Sequence, residues 1–175
     1  MLEKPNDVSF SGDSSVPAAY TYLGQFIDHD ISFESVTEGT PELSSTLSPL
    51  SNPLHALENL RDGTLNLDSI YGDDVPRNPL NSDLLALGRV SATGNRPLGR
   101  DEFNDLPRRG RSHDPALDRA ALIGDPRNDE NLIVAQLHVA FLRAHNELVQ
   151  RGGSFDQSRF ALTQIGRAWN LPRQG

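Results

Sequence analysis

The sequence contains no cysteine among its 175 residues, which excludes disulfide bonds, a thiolate nucleophile and cysteine-ligated metals. It also has no apolar run near the roughly 18 residues that a membrane-spanning helix needs. The first residues, MLEKPNDVSF, lack the apolar core of a signal peptide. We therefore expect no membrane span and see no secretory signal, and the compartment stays undetermined.

Positive charge and apolar residues are also scarce. There are 16 Lys and Arg against 24 Asp and Glu, a formal net charge of −8, which argues against a nucleic-acid partner. Hydrophobic residues make up only 36% of the chain, which is low for a compact globular domain. With 12 prolines and 14 glycines, the composition predicts much loop, although 175 residues are long enough for one domain with a sizeable core.

The pattern along the chain predicts a mainly α fold with little or no strand. Residues 1–16 are polar and predict an irregular segment, a helix is expected over 17–33, and 34–62 reads as loop. The best helix pattern covers 128–150, with Asn128 or Asp129 as its cap and glycines after its end. Its predicted apolar stripe is Ile133, Leu137, Ala140, Phe141, Ala144 and Leu148.

The stretch GQFIDHDISF, residues 24–33, places charged residues inside an otherwise apolar run. On a helix that turns about 100° per residue, Gln25, Asp28 and His29 share one face, and Asp30 points away from Asp28. The two carboxylates are therefore expected to serve different sites. An amphipathic helix with a hydrated polar face is the alternative interpretation.

Oxygen-bearing side chains occupy alternate positions of a second segment: Asp62, Thr64, Asn66 and Asp68. Hard cations such as Ca²⁺ take several oxygen ligands of this kind. The EF-hand pattern is not met, because its glycine and final glutamate positions hold Leu67 and Asp73. A turn with chance acidic residues is the alternative.

A third polar segment, GDPRNDEN at 124–131, precedes the best helix. Arg127 supplies a permanent cation, and Glu130 follows about one helical turn later. An acidic first turn is common at helix N-termini and is the alternative interpretation. His138 and His145 lie on one stripe of the helix, and this position favours core histidines over metal ligands.

Together the three segments resemble the animal-type haem peroxidases of the peroxidase–cyclooxygenase superfamily, most closely the bacterial branch. The matching stretches are VPAAYTYLGQFIDHDISF, LNLDSIYG and ALIGDPRNDENLIVAQLHVAFLRAHNELV. Their order and approximate spacing match as well, over roughly residues 16–151. The resemblance implies that 17–175 is a partial haem-peroxidase-type helical domain.

The resemblance assigns roles to five residues on the haem side. His29 matches the distal histidine, Arg127 the distal-pocket arginine, and Gln25 the glutamine beside the histidine. Asp28 and Glu130 match two carboxylates that form ester bonds to haem methyl groups in many members. The implied activity is reduction of hydrogen peroxide coupled to oxidation of organic substrates or halides.

On the other side of the same helix the resemblance implies calcium. Asp30 matches the calcium ligand that follows the distal histidine. The remaining implied ligands are Asp62, Thr64, Asn66 and Asp68. Haem on one side and calcium on the other would explain why Asp28 and Asp30 point in opposite directions.

Two departures from the family pattern shape the expectation. Asn131 replaces the methionine that links to a haem vinyl group in mammalian haloperoxidases, so that link is excluded. Only His138 and His145 follow Arg127, and neither fits the downstream proximal iron ligand. The chain is therefore expected to be the N-terminal, distal half of a peroxidase domain, with a C-terminal half as its missing partner. The alternatives are a fatty-acid dioxygenase of the same superfamily, or a non-catalytic calcium-binding remnant or subunit.

Overall fold

The computed structural model describes residues 17–36, 57–72, 75–90 and 104–169, and within them the chain is mainly helical, as predicted. The expected irregular segment 1–16 lies outside the described residues. The helices are α1 (Ala19–Ile31), α2 (Asp68–Tyr71), α3 (Leu132–Gln150) and α4 (Phe155–Trp169), with a 3₁₀ turn at Pro126–Asp129.

Strand is limited to two short antiparallel ribbons in the described residues. Strand β1 (Glu34–Val36) pairs with β2 (Leu57–Asn59), and β3 (Arg77–Asn78) pairs with β4 (Asn81–Leu85). The segment predicted as loop over 34–62 therefore has paired ends. Each ribbon alone buries too little to be stable, so the helices carry the core.

Helix α1 packs against α3. The rings of Phe26 and Phe141 stack with their centroids 5.0 Å apart. Phe26 is almost completely buried, so the stack joins the two helices at the centre of the core. Because α1 ends at Ile31 rather than at residue 33, Ser32 and Phe33 are free to turn toward β1.

The cap predicted for the long helix, Asn128 or Asp129, is wrong, because both residues lie in the 3₁₀ turn that precedes the helix. Asn131 caps α3, because its side chain accepts from the backbone N–H of Val134 at 2.9 Å. Asp125 caps the preceding 3₁₀ turn through the N–H of Arg127. Asn128 lies inside that turn and is completely buried. The predicted end is confirmed, since Gly152 adopts a φ of 102° directly after the helix.

The buried face of α3 is also rotated from the predicted apolar stripe. Ile133 is 49% exposed, whereas Val134, His138 and His145 are fully buried. The whole buried set is Val134, Ala135, His138, Val139, Phe141, Leu142, His145, Asn146 and Val149. The predicted stripe is displaced because His138, His145 and Asn146 belong to the buried face. A prediction that counts only apolar residues does not include them.

Close backbone contact joins α2 to the segment before the 3₁₀ turn. The N–H of Gly124 donates to the carbonyl of Ser69 at 2.9 Å. A Cβ atom on Gly124 would lie 2.4 Å from the carbonyl oxygen of Asp68, which is sterically impossible without movement. Glycine at 124 therefore lets the second and third polar segments touch.

Candidate functional site

The three polar segments of the sequence converge at one place in the fold. Asp30 of α1 binds the loop that leads into α2, and α2 touches Gly124 through Ser69. The segment that follows Gly124 returns to α1 through Arg127 and Asn128. These contacts connect α1 at Asp30 to α2, α2 to Gly124, and the 3₁₀ turn back to α1 at His29. We call this set of contacts the α1 circuit.

His29 is held by its Nδ1 atom. The ring is 6% exposed, and Nδ1–H donates to Oδ1 of Asn128 at 2.7 Å. Among the described residues, Nε2 of His29 has no hydrogen-bond partner. A neutral imidazole held in this way keeps the Nε2 lone pair available as a base.

Arg127 lies beside His29 but is anchored by a carboxylate. Its Nε donates to Oδ1 of Asp125 at 3.0 Å and its Nη2 to Oδ2 at 2.7 Å. The same Nη2 donates to the carbonyl of His29 at 3.0 Å and to that of Ser32. The Asp125 bond, together with its charge, raises the pKa of Arg127 despite partial burial. Nη1 has no hydrogen-bond partner in the described part of the chain.

Asp125 was not identified from the sequence, although it organises this side of the site. It is completely buried, with its Oδ2 atom 3.6 Å from Nη2 of Arg61. Arg61 also donates to the carbonyl of Gly124 at 3.1 Å. A buried carboxylate needs such cationic partners. The sequence signal for Asp125 was its position two residues before Arg127. At that spacing one carboxylate can accept from the backbone N–H of Arg127 and also bind its guanidinium.

The remaining haem-side candidates, Gln25, Asp28 and Glu130, are more exposed to solvent than His29. Gln25 is half-buried and its Oε1 accepts from Nδ2 of Asn131 at 3.2 Å. Asp28 and Glu130 are exposed, and both carboxylates are near enough to contribute to the raised pKa of Arg127. All five residues predicted for the haem side therefore lie in one region, in which His29 is buried and the carboxylates of Asp28 and Glu130 are exposed.

Asp30 faces the opposite way, as the helix geometry predicted. Its side chain is completely buried and accepts three backbone N–H bonds. Oδ2 accepts from Asn66 at 3.0 Å and from Leu67 at 2.8 Å, and Oδ1 accepts from Ser69 at 3.0 Å. Leu67 has a φ of 58°, so the loop is held in a strained conformation by this carboxylate.

Two of the other predicted calcium residues, Asp62 and Asn66, already have hydrogen-bond partners for their side-chain oxygens. Asp62 accepts from the N–H of Thr64 and from Nδ2 of Asn66. Oδ1 of Asn66 accepts from Nη2 of Arg167 at 2.6 Å, and Nε of Arg167 donates to the carbonyl of Leu65. A guanidinium from α4 therefore occupies the loop where a cation was expected.

Electrostatics still favour a cation near this loop. Burial raises the pKa of Asp68, and the carboxylates of Asp30 and Asp62 raise it further. However, the described residues include no group of three or more acidic or histidine side chains arranged to hold a metal. The loop thus has the charge for a calcium ion but does not present a coordination shell in this arrangement.

Neither buried histidine of α3 is arranged as an axial ligand. His145 uses both ring nitrogens, since Nδ1 accepts from the hydroxyl of Tyr71 and Nε2 donates to the carbonyl of Asp83, each at 2.9 Å. Nδ1 of His138 accepts from Nδ2 of Asn128 at 3.1 Å. Both rings are inaccessible, in agreement with the interpretation as core histidines.

Asn128 is the main residue of the site that the sequence did not reveal. It was considered only as a helix cap, whereas its amide contacts His29 on one side and His138 on the other. The signal was indirect, because a buried asparagine is expected only where polar groups converge.

Comparisons with known proteins add no relative to these observations. No family model, no curated protein and no solved structure matches the chain. Among the described helices, none combines the length and apolarity required to cross a membrane.

Proposed function

We propose that this chain provides the distal side of a haem peroxidase of the animal type. The observation that supports the proposal is the α1 circuit, in which the segment holding Arg127 contacts the helix that carries Gln25 and His29, about a hundred residues earlier in the sequence. The donor set also fits a haem, since it offers a base with a free nitrogen, a cation, and two exposed carboxylates at one edge.

In the proposed reaction, His29 moves the protons of the peroxide. Nε2 takes a proton from one peroxide oxygen and returns it to the leaving oxygen, as a neutral imidazole with an anchored Nδ1–H can do. Arg127 stabilises the negative charge that develops on the leaving oxygen, and Gln25 orients the peroxide by hydrogen bonding. Haem, when bound, supplies the redox chemistry of the iron.

Asp28 and Glu130 are the proposed contacts to the haem edge. Both are exposed on the side where Arg127 reaches the surface, so a planar group can approach them without unfolding the chain. Ester links from these carboxylates to haem methyl groups are part of the proposal: each link would replace one C–H bond of a methyl group by a C–O bond, and the hydrogen peroxide of the proposed reaction would be the two-electron oxidant, reduced to two molecules of water. Since neither buried histidine of α3 is arranged as an axial ligand, the proximal side is proposed to come from a further segment.

The test is a hemin titration in the presence and absence of free imidazole, which substitutes for the axial ligand. We expect hemin to shift the Soret band in the parent chain, with little peroxide turnover until imidazole is added. His29→Ala should then lower the rate per bound hemin by about a hundredfold or more, the usual size of general acid–base catalysis. His113→Ala is the matched control, because His113 is exposed on a loop and forms none of the hydrogen bonds of the α1 circuit.

The proposal is overturned if hemin does not bind the parent chain, or if His29→Ala and His113→Ala behave alike. Absence of hemin binding, together with stabilisation by calcium, would favour a non-catalytic calcium-binding chain instead. Oxygenation of an unsaturated fatty acid by the loaded chain would favour the dioxygenase.

A further inference from the structure

Asn128 lies between two buried histidines and contacts the same ring atom of each. Oδ1 is 2.7 Å from Nδ1 of His29, and Nδ2 is 3.1 Å from Nδ1 of His138. Asn128 and His138 are completely buried, and His29 is nearly so. No solvent is needed to complete these two bonds, so the geometry of the amide determines them.

A carboxamide has one accepting end and one donating end, and this asymmetry constrains both rings. The ring that meets the oxygen must carry hydrogen on Nδ1, and the ring that meets the nitrogen must lack it. His29 is therefore the Nδ1–H tautomer and His138 the Nε2–H tautomer. Burial lowers the pKa of His138 to about 4, so His138 is a neutral imidazole near neutral pH, as this pairing requires.

The cost of this arrangement is a buried nitrogen of His138 that has no hydrogen bond among the described residues. Its Nε2 is buried with no hydrogen-bond partner, and the neighbouring ring of Phe26 lies edge-on with the centroids 6.2 Å apart. A buried ring nitrogen without a partner is uncommon in folded proteins. The tautomer of His138 is thus imposed by Asn128 and not by an acceptor at Nε2.

We propose that Asn128 is a positioning residue that fixes His29 as the Nδ1–H tautomer and thereby leaves the lone pair on Nε2. The role in peroxide chemistry rests on the proposed function, whereas the tautomer itself does not. Free histidine side chains favour the Nε2–H form, in which Nε2 cannot act as a base. Asn128 therefore selects the form of His29 that the proton transfer requires.

The test is long-range ¹H–¹⁵N NMR on the hemin-free chain at mildly alkaline pH, which reports the protonated nitrogen of each imidazole. We expect Nδ1–H for His29 and Nε2–H for His138 in the parent chain. His145 is the internal reference, since its Nε2–H donates to Asp83. Finding His29 as Nε2–H, or both His29 and His138 as the same tautomer, would overturn the proposal.

Two substitutions separate positioning from simple packing. Asn128→Leu keeps the number and branching of the side-chain heavy atoms but removes both bonds, so His29 should lose its Nδ1–H signal in favour of Nε2–H. Asn128→Asp accepts from both rings, so His29 should keep Nδ1–H while His138 changes to Nδ1–H. An unchanged His138 in Asn128→Asp would contradict the proposal even if Asn128→Leu fails to fold. Because the measurement needs no hemin, failure of the proposed function would leave its result intact.

Discussion

The two sides of α1 differ in how completely their polar atoms are used. On the Asp30 side, both oxygens of the Asp30 carboxylate accept backbone N–H groups, and the side-chain oxygen of Asn66 and the carbonyl of Leu65 are bound to Arg167, although the buried hydroxyl of Ser69 has no partner among the described residues. On the His29 side, Nε2 of His29 and Nη1 of Arg127 have no partner among the described residues. Saturated groups stabilise a fold, whereas a positioned group with a free atom is available for chemistry. The comparison assigns the scaffold to one side and the candidate reaction to the other.

The strongest challenge to this comparison is removal of Asp30. Asp30→Ala leaves three backbone N–H groups without their acceptor in a largely buried place, so we expect it to lower the free energy of unfolding by about 3–5 kcal/mol. Urea denaturation measures the change. Asp28→Ala is the matched control on the exposed side and should change stability by no more than about 0.5 kcal/mol. Similar effects of the two substitutions would mean that the Asp30 side is not the scaffold.

Acid should weaken the fold through His138, the buried end of the His29 side. Burial lowers the pKa of His138 from its ordinary value of 6.5 to about 4. The unfolded chain therefore binds this proton more readily, and stability falls as the pH drops from 6.5 toward 4, by up to about 3 kcal/mol. Urea denaturation at a series of pH values measures the slope.

His138→Gln should reduce that slope, because glutamine does not titrate. Burial also lowers the pKa of His145, so His145→Gln serves as the comparison within the same helix. An equal acid sensitivity in the parent chain and in His138→Gln would show that His138 is not the group responsible.

The smallest expected effect concerns calcium and Arg167. If calcium binds the 62–68 loop, it must displace Arg167 from Asn66 and Leu65, so Arg167→Gln should enhance stabilisation by calcium. We expect a gain of about 1 kcal/mol over the parent chain, set by mass action, measured as the melting temperature with and without calcium. Asp68→Ala should abolish the calcium effect.

Arg151→Gln is the control for loss of a positive charge, since Arg151 is exposed and pairs only with Glu147 among the described residues. Equal calcium responses in Arg167→Gln and Arg151→Gln would mean that the guanidinium and the ion do not compete. In that case the likeness of this loop to a calcium loop would not extend to binding.

Hydrophobic periodicity predicted the positions of α1 and α3 well, but it did not predict the cap or the buried face of α3. The helix positions of α1 and α3 and the end at Gly152 follow from local patterns and turn chemistry. The cap at Asn131 is a local contact that the pattern did not reveal, and the rotated buried face of α3 depends on contacts made only in the folded chain, such as that of His145 with Tyr71, which lies 74 residues earlier. An apolar count cannot anticipate polar groups that are satisfied only after folding.

The sequence by itself determined which residues the helix geometry separates. Asp28 and Asp30 lie on opposite sides of α1 because each residue turns the helix by about 100°, and no tertiary contact is needed for that conclusion. Only the tertiary structure decided the distant partners: Asn128 for His29, the carbonyl of His29 for Arg127, and the backbone amide of Leu67 for Asp30. The physical reason is that these hydrogen bonds join residues 37 to 99 positions apart, so they depend on how α1, α2 and the 3₁₀ turn pack, and packing is a property of the whole chain.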